Sequence, residues 1–150
     1  MSEETQQKAK NAVKFFEIST DDRERIESFY GNIFGWTFHH MPQHNYSIIN
    51  IPGHGDFVGG VYDNKGKEDN WAVFCIEVDV NEMEDISRQV VEAGGTITYP
   101  VAEEGDADGT TTGAQFLDPS GNRFSIFSFK PAENPAGEFA DLLAGKPAES

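Results

Sequence analysis

The sequence has only one cysteine among its 150 residues, Cys75, so no internal disulfide can form. Cys75 lies within an apolar stretch, which favours a buried structural thiol over a reactive one. No stretch approaches the roughly 18 to 20 consecutive apolar residues of a membrane span, and residues 1–12 lack the apolar core of a signal peptide. We therefore expect a cytoplasmic protein without a membrane role.

Basic residues are also scarce. The chain has 11 Lys and Arg against 26 Asp and Glu, which gives a formal net charge of −15, and it has no basic cluster. Such a charge repels phosphate backbones and anionic lipid surfaces, which argues against nucleic-acid and membrane-surface partners. With 37% hydrophobic residues and twelve Phe, the chain can fill one core but not two independent ones.

A strand followed by a helix occurs twice in the sequence. The first strand covers residues 13–19, and its helix begins at Asp21 or Asp22 and ends at Gly35. The second strand covers residues 71–79, and its helix runs from Asn81 to the Gly94-Gly95 pair. Three short strands are predicted after each helix, at residues 36–40, 46–51, 57–62, 96–99, 111–117 and 123–129.

This repeat predicts an α+β fold of two half-modules, each with the order strand, helix, strand, strand, strand, that bury their faces against each other. The modules cover residues 13–63 and 71–130 of a single domain, 13–130. Residues 1–12 are expected to form a flexible arm, and residues 131–150 a tail with a short helix at 138–143.

Strand alternation assigns side chains to the two faces of this sheet. Phe16 and Ile18 are expected to face the helices, like Phe74, Ile76 and Val78. The opposite, concave face then receives Phe15, Glu17, Ser19, Val73, Cys75 and Glu77. Carboxylates on that face are costly unless a cavity solvates them or a partner binds them, so Glu17 and Glu77 mark a candidate ligand cavity.

The pattern resembles the vicinal oxygen chelate superfamily, which includes glyoxalases, extradiol dioxygenases and bleomycin-resistance proteins, and in particular its single-chain glyoxalase-related members of unassigned activity. The residues that carry the resemblance are Phe16-Glu17-Ile18, Phe29-Tyr30, Phe34-Gly35-Trp36, Val78-Asp79, Glu92-Ala93-Gly94-Gly95 and the segment from Phe116 through Asp118-Pro119-Ser120-Gly121 to Phe124. The resemblance implies paired βαβββ modules that form a cup-shaped mixed sheet, with the helices outside, around a ligand cavity. It also implies a homodimer.

The metal enzymes of this superfamily place His, Gln or Glu on the first, fourth, fifth and eighth strands. Counting along the motifs puts Phe15, Val73 and Ser125 at the first, fifth and eighth positions. The fourth-strand candidates, residues 57–61, offer no ligand side chain. The sequence therefore predicts no metal at the superfamily position and no cofactor.

Two other segments invite a metal hypothesis. His39, His40, His44 and His54 lie close in sequence, but their spacing is not diagnostic, and exposed hairpin polarity explains them equally well. The segment 106–109 superficially resembles a calcium loop, but it lacks the glutamate at the twelfth loop position, so an acidic surface loop is favoured.

The predicted function is metal-independent binding of a small apolar or aromatic molecule in the cavity. The alternative is a glyoxalase-like lyase or isomerase, or a dioxygenase, that uses Glu17 as a base or an atypical metal site. The competing interpretation of Glu17 is a carboxylate satisfied by backbone amides, Arg123 or Tyr46. The predicted ligand-binding residues are Phe15, Glu17, Ser19, Tyr46, Trp71, Val73, Cys75, Glu77, Ser125 and Phe127, with Trp36 as a further aromatic candidate.

Overall fold

The computed structural model describes residues 10–55, 57–138 and 140. Within them, eight strands and two α-helices follow the predicted order, with two short 3-10 helices at Pro42–His44 and Val80–Glu82. The elements are β1 (Val13–Thr20), α1 (Arg23–Phe34), β2 (Thr37–Met41), β3 (Tyr46–Asn50), β4 (Gly59–Asp63), β5 (Trp71–Glu77), α2 (Met83–Glu92), β6 (Thr96–Asp106), β7 (Gly109–Leu117) and β8 (Arg123–Pro131).

The strands form a single mixed sheet in the order β2-β3-β4-β1-β5-β8-β7-β6. Strands β1 and β5 pair antiparallel at its centre and join the two halves, while β1 pairs parallel with β4 and β5 pairs parallel with β8. This repeated arrangement confirms the predicted α+β fold of two βαβββ modules. No helix in the described ranges is long and apolar enough to cross a membrane.

An aspartate caps α1, and another caps the 3-10 turn that precedes α2. Asp22 accepts a hydrogen bond from the backbone amide of Arg25, and Gly35 ends α1 in the left-handed conformation, as predicted. In the second module, Asp79 rather than Asn81 supplies the cap, because its side chain accepts the amide of Asn81 and starts a 3-10 turn before α2.

The core lies between the sheet and α2. Val78, Met83, Ala114, Phe116 and Ile126 form its buried cluster. In the first half, Phe16 packs against Trp36, whose ring stacks on Tyr30 of α1 at 5.0 Å. Trp36 therefore lies on the helix side of the sheet, and its predicted place in the cavity is wrong.

Strand β6 is longer than predicted, because it continues past Pro100 to Asp106. It lies at the edge of the sheet, where a missing amide donor is tolerated, and its pairing with β7 shifts register between Tyr99 and Ala102. Residues 1–9 of the predicted arm, and residue 139 with 141–150 of the predicted tail, lie outside the described residues.

Candidate functional site

The candidate site lies on the inner face of the sheet, which we define as the face opposite α1 and α2. Because Phe16, Ile76 and Ile126 point toward the helices, their neighbours in each strand point the other way. The inner face of the three central strands therefore carries Phe15, Glu17, Val73, Cys75, Glu77, Ser125 and Phe127; the first five are those that strand alternation predicts.

Glu17 lies at the centre of the inner face. In the strand register it lies between Gly60 of β4 and Val73 of β5. The hydroxyl of Tyr46 donates a hydrogen bond of 2.8 Å to Glu17 Oε2. Of the partners considered from sequence, Tyr46 is thus the one that binds this carboxylate, while Arg123 hydrogen-bonds Gln115 instead.

Burial controls the protonation of this pair. Desolvation raises the pKa of Glu17 above its usual value, and the hydrogen bond from Tyr46 lowers it by less. The pKa of Tyr46 is raised well above its usual value, by desolvation first and then by the Glu17 charge. Tyr46 therefore acts as a neutral donor, and Glu17 retains a proton to a higher pH than a solvated glutamate.

Cys75 and Ser125 lie next to each other on β5 and β8. Desolvation and the charge of Glu17 raise the pKa of the Cys75 thiol to about 12, while a hydrogen bond with Ser125 opposes the shift. Cys75 is 3% exposed. It is therefore a neutral thiol at physiological pH, which agrees with the structural role predicted for it.

Aromatic side chains border this centre. The rings of Phe15 and Phe127 meet edge to face at 5.3 Å, and Glu77 lies beside Phe127 in the register. At the other end of β1, Ser19 is buried and its hydroxyl accepts a hydrogen bond from Asn64, with Trp71 as its strand neighbour. The structure thus joins the predicted residues along one face, with Ser19 already hydrogen-bonded within the protein.

The four positions that hold metal in the resembling enzymes do not suit a cation here. Phe15 and Val73 have no donor atoms, and Ser125 offers only a hydroxyl that already bonds Cys75. On the fourth strand, a Cβ at Gly60 would overlap the Tyr46 ring, so this ring fills the space that a ligand side chain would need. The residues at these positions therefore do not fit the superfamily metal.

Among the residues that the structure describes, the histidines are not grouped as a set of metal ligands. His39 pairs with Ile48 on the inner face, while His40 hydrogen-bonds Ser47 on the helix side. Within the described residues, no group of three or more His, Cys, Asp or Glu side chains is placed to hold a metal ion.

His44 instead joins the two halves of the molecule. Its Nε2 lies 2.9 Å from Asp106 Oδ2 at the β6–β7 turn, and its Nδ1 lies 2.5 Å from Glu138 Oε1. The two carboxylates lie at opposite ring nitrogens, so the three groups do not converge on one point. Sequence reasoning missed this contact, because about 60 and 90 residues separate the partners.

The segment 106–109 is only partly the surface loop that was predicted. Asp106 is exposed, but Asp108 is fully buried and accepts a hydrogen bond of 2.8 Å from the amide of Gly137. A Cβ at Gly137 would overlap the Asp108 carboxylate, which explains a glycine there. The loop therefore fastens the C-terminal segment to the second module.

Sequence reasoning missed the inner-face residue Gln115, and it considered Arg123 only as a partner of Glu17 and not as a site residue. Arg123 Nη1 donates to Gln115 Oε1 at 2.9 Å, and its guanidinium lies 5.3 Å from the centre of the Trp71 ring. Nearby, Glu68 accepts hydrogen bonds from Trp71 Nε1 and from the Tyr99 hydroxyl. Because side chains alternate along a strand, Arg123 shares a face with Ser125, two residues further along β8. This was the signal that could have placed Arg123 on the inner face.

Comparison with known proteins agrees with this fold. The family model "Bleomycin resistance protein-like N-terminal" matches residues 13–52. No curated protein matches the chain.

Solved structures cover more of the chain. The Mn(II)-bound glyoxalase from Novosphingobium aromaticivorans is 17% identical with a TM-score of 0.56, over 79% of this chain and 38% of that one. A glyoxalase/bleomycin resistance protein/dioxygenase superfamily member from Vibrio splendidus 12B01 is 13% identical with a TM-score of 0.57, over 77% of this chain and 97% of that one. Methylmalonyl-CoA epimerase from Mycobacterium tuberculosis is 13% identical with a TM-score of 0.50, over 91% of this chain and 97% of that one.

These likenesses establish the fold. The present chain spans only 38% of the length of the manganese glyoxalase, but nearly the whole length of the other two proteins. The protein has the fold of the vicinal oxygen chelate superfamily, and the resemblance predicted from its sequence is confirmed.

Proposed function

We propose that this protein binds a small apolar or aromatic molecule on the inner face of the sheet without the metal of its superfamily. The observation that carries the proposal is the Tyr46–Glu17 pair, which occupies the centre of the face and covers Gly60 where a fourth-strand ligand would project. A neutral hydroxyl and a carboxyl group then take the place of a cation.

The remaining lining supports an apolar ligand. Phe15 and Phe127 are half-buried and offer hydrocarbon surface, while Val73 and the neutral thiol of Cys75 are 4% and 3% exposed and lie buried between them and Glu17 in the sheet. Small-molecule sites are typically lined in this way, by apolar groups with a few polar side chains that orient the ligand. Glu17 and Ser125 are the polar side chains at the centre of this site.

Binding of 2-naphthalenemethanol, an uncharged two-ring probe, tests the proposal by titration calorimetry. We expect saturable binding, and Phe127→Ala should weaken it about tenfold, because an aromatic contact contributes about 0.5–1.5 kcal/mol beyond the area it buries. Val91→Ala is the control, since Val91 is 51% exposed on α2, on the other side of the sheet and outside the proposed dimer contact. No binding, or equal weakening by both variants, would contradict the proposal.

A glyoxalase-like lyase or isomerase activity is the second candidate, and the raised pKa of Glu17 is the observation that favours it. A carboxylate with a pKa nearer neutrality is a better general base for removing a proton next to a carbonyl group. The hemithioacetal of methylglyoxal and glutathione is the test substrate. This alternative requires turnover that Glu17→Gln abolishes while thermal stability is retained.

We also propose a homodimer. Phe29, Ile33 and Phe34 are 52%, 56% and 61% exposed on α1, which supports an apolar contact between two copies. Sedimentation should show a dimer that Phe34→Ser weakens, while Val91→Ser, at a 51% exposed position on α2, should not. A monomer at all concentrations would contradict this proposal.

A further inference from the structure

The inner face carries a second polar group, Arg123, that the binding of an uncharged molecule does not use. On β8, Arg123 is the inner-face residue that precedes Ser125. Strand β5 lies between Arg123 and Glu17 of β1. Because neighbouring strands lie about 4.8 Å apart, two strand spacings place the backbones of Glu17 and Arg123 about 10 Å apart. That separation fits one small ligand lying across Val73.

The environment of Arg123 differs from that of the other basic residues. Among the described Lys and Arg residues, only Arg23 and Arg123 are partly buried, and all others are exposed. Arg23 forms an ion pair of 3.1 Å with Glu27. Arg123 has no carboxylate within ion-pairing distance among the described residues, although 26 acidic residues are present in the chain.

Its neighbours fix the guanidinium without neutralising it. Gln115 accepts one hydrogen bond, and the Trp71 ring lies against the group at cation–π distance. Glu68 is the nearby acidic group, but its Oε1 binds the Trp71 indole at 3.3 Å and the Tyr99 hydroxyl at 2.7 Å. A guanidinium has five N–H donors in a planar fork, so donors remain for an incoming anion.

A partly buried cation that is held in place and lacks a counter-ion is suited to bind one. From this arrangement we propose that Arg123 is an anion-binding residue of the inner face and that the ligand is an aromatic or apolar carboxylate, with its carboxylate on Arg123 and its apolar body against Trp71, Val73 and Phe127. This inference rests on the proposed binding function and adds the chemical class of the ligand.

The test compares 2-naphthoate with 2-naphthalenemethanol, which has the same ring system without the charge. We expect the wild type to bind the carboxylate about tenfold more tightly or better, a factor that corresponds to about 1.4 kcal/mol. Arg123→Gln should remove this preference. Arg25→Gln is the charge-matched control, because Arg25 is exposed on α1, and it should retain the preference.

A second measurement guards against an effect of misfolding in Arg123→Gln. Arg123→Gln should still bind the alcohol nearly as tightly as the wild type does, since only the carboxylate probe uses the guanidinium. All titrations are run at one ionic strength, because the net charge of −15 repels the anionic probe to an extent that depends on salt. Equal affinity of the wild type for both probes, or a preference that survives in Arg123→Gln, would overturn the anion site alone. Failure of both probes to bind would instead overturn the binding function on which this inference rests.

Discussion

Tyr46 and Glu17 belong to different strands, 29 positions apart in sequence, yet the hydroxyl of one donates to the carboxylate of the other at 2.8 Å. The contact is possible because Gly60 lies on the strand between them and leaves room for the tyrosine ring. The pair is the chief polar interaction at the centre of the inner face, and its protonation can be tested directly.

Glu17 should make stability fall as pH rises. Its pKa is raised on folding, so the native state holds the proton more tightly than the unfolded state. Its favourable contribution is complete below the unfolded value of about 4.5 and is lost as pH rises through the folded pKa. Gln cannot titrate, so urea denaturation should show Glu17→Gln gaining stability relative to wild type over this interval.

The control for this experiment is Glu103→Gln, which removes an exposed carboxylate from the edge strand β6. Its stability difference from wild type should stay within about 0.5 kcal/mol at every pH. A Glu17→Gln difference that is equally independent of pH would show that the site does not perturb this carboxyl group.

Gly60→Ala should displace the Tyr46 ring. The added Cβ would overlap the ring and hydroxyl of Tyr46, and overpacking of this kind costs about 1–3 kcal/mol. Gly55→Ala is the control, because its Cβ would meet nothing within 4 Å. In a Tyr46→Ala background, the cost of Gly60→Ala in the free energy of unfolding should largely disappear; an unchanged cost would contradict the steric explanation.

The sequence predicted the fold well because the fold depends on local signals. Strand alternation placed Glu17, Val73 and Cys75 on the inner face, and Asp22 and Gly35 marked the ends of α1. The predicted strand boundaries were wrong where tertiary structure tolerates a residue that is locally unfavourable in a strand. Pro100 looked like the end of a strand, but as part of an edge strand it has no partner on its free side.

The site was less predictable, because its contacts join distant segments. Alternation shows that Arg123 and Trp71 share a face, but it does not show that Arg123 bonds Gln115 rather than Glu17. Likewise, the sequence suggests a grouping of His44 with the other histidines near it in the chain. Its actual partners, Asp106 and Glu138, come from the other module and the C-terminal segment. Side-chain partners across such distances depend on the packed sheet.

The contact of His44 with Asp106 and Glu138 should stabilise the protein below neutral pH. Burial lowers the pKa of His44, but hydrogen bonds and charges from both carboxylates outweigh this and raise it above 6.5. The stabilisation is therefore complete below the unfolded pKa of about 6.5 and is lost as pH rises through the folded value. Exposed pairs of this kind contribute about 0.2–1 kcal/mol each.

Thermal melts of wild type and His44→Gln across this interval check the prediction. The wild type should lose its advantage as pH rises, and Glu138→Gln should reduce that loss, whereas Glu133→Gln, at an exposed position in the same segment, should not. Parallel pH profiles for wild type and His44→Gln would contradict an ionised contact. On the acid side, the lowered pKa values of Asp106 and Glu138 predict a loss of stability as these carboxylates protonate.

Cys75 should be unreactive in the native protein. Its thiol is 3% exposed and its pKa is raised to about 12, chiefly by desolvation, so both access and thiolate formation are suppressed. Dithiobis(nitrobenzoate) should therefore modify the folded protein only at the rate at which the site opens, while the denatured chain should react at once with one thiol per chain. Occupancy of the inner face by 2-naphthalenemethanol should slow the native reaction further, because the probe binds the closed state of the sheet and so lowers the population of the open one. Immediate reaction of the native protein would show that the Cys75 thiol is accessible and reactive, and would contradict its buried structural role.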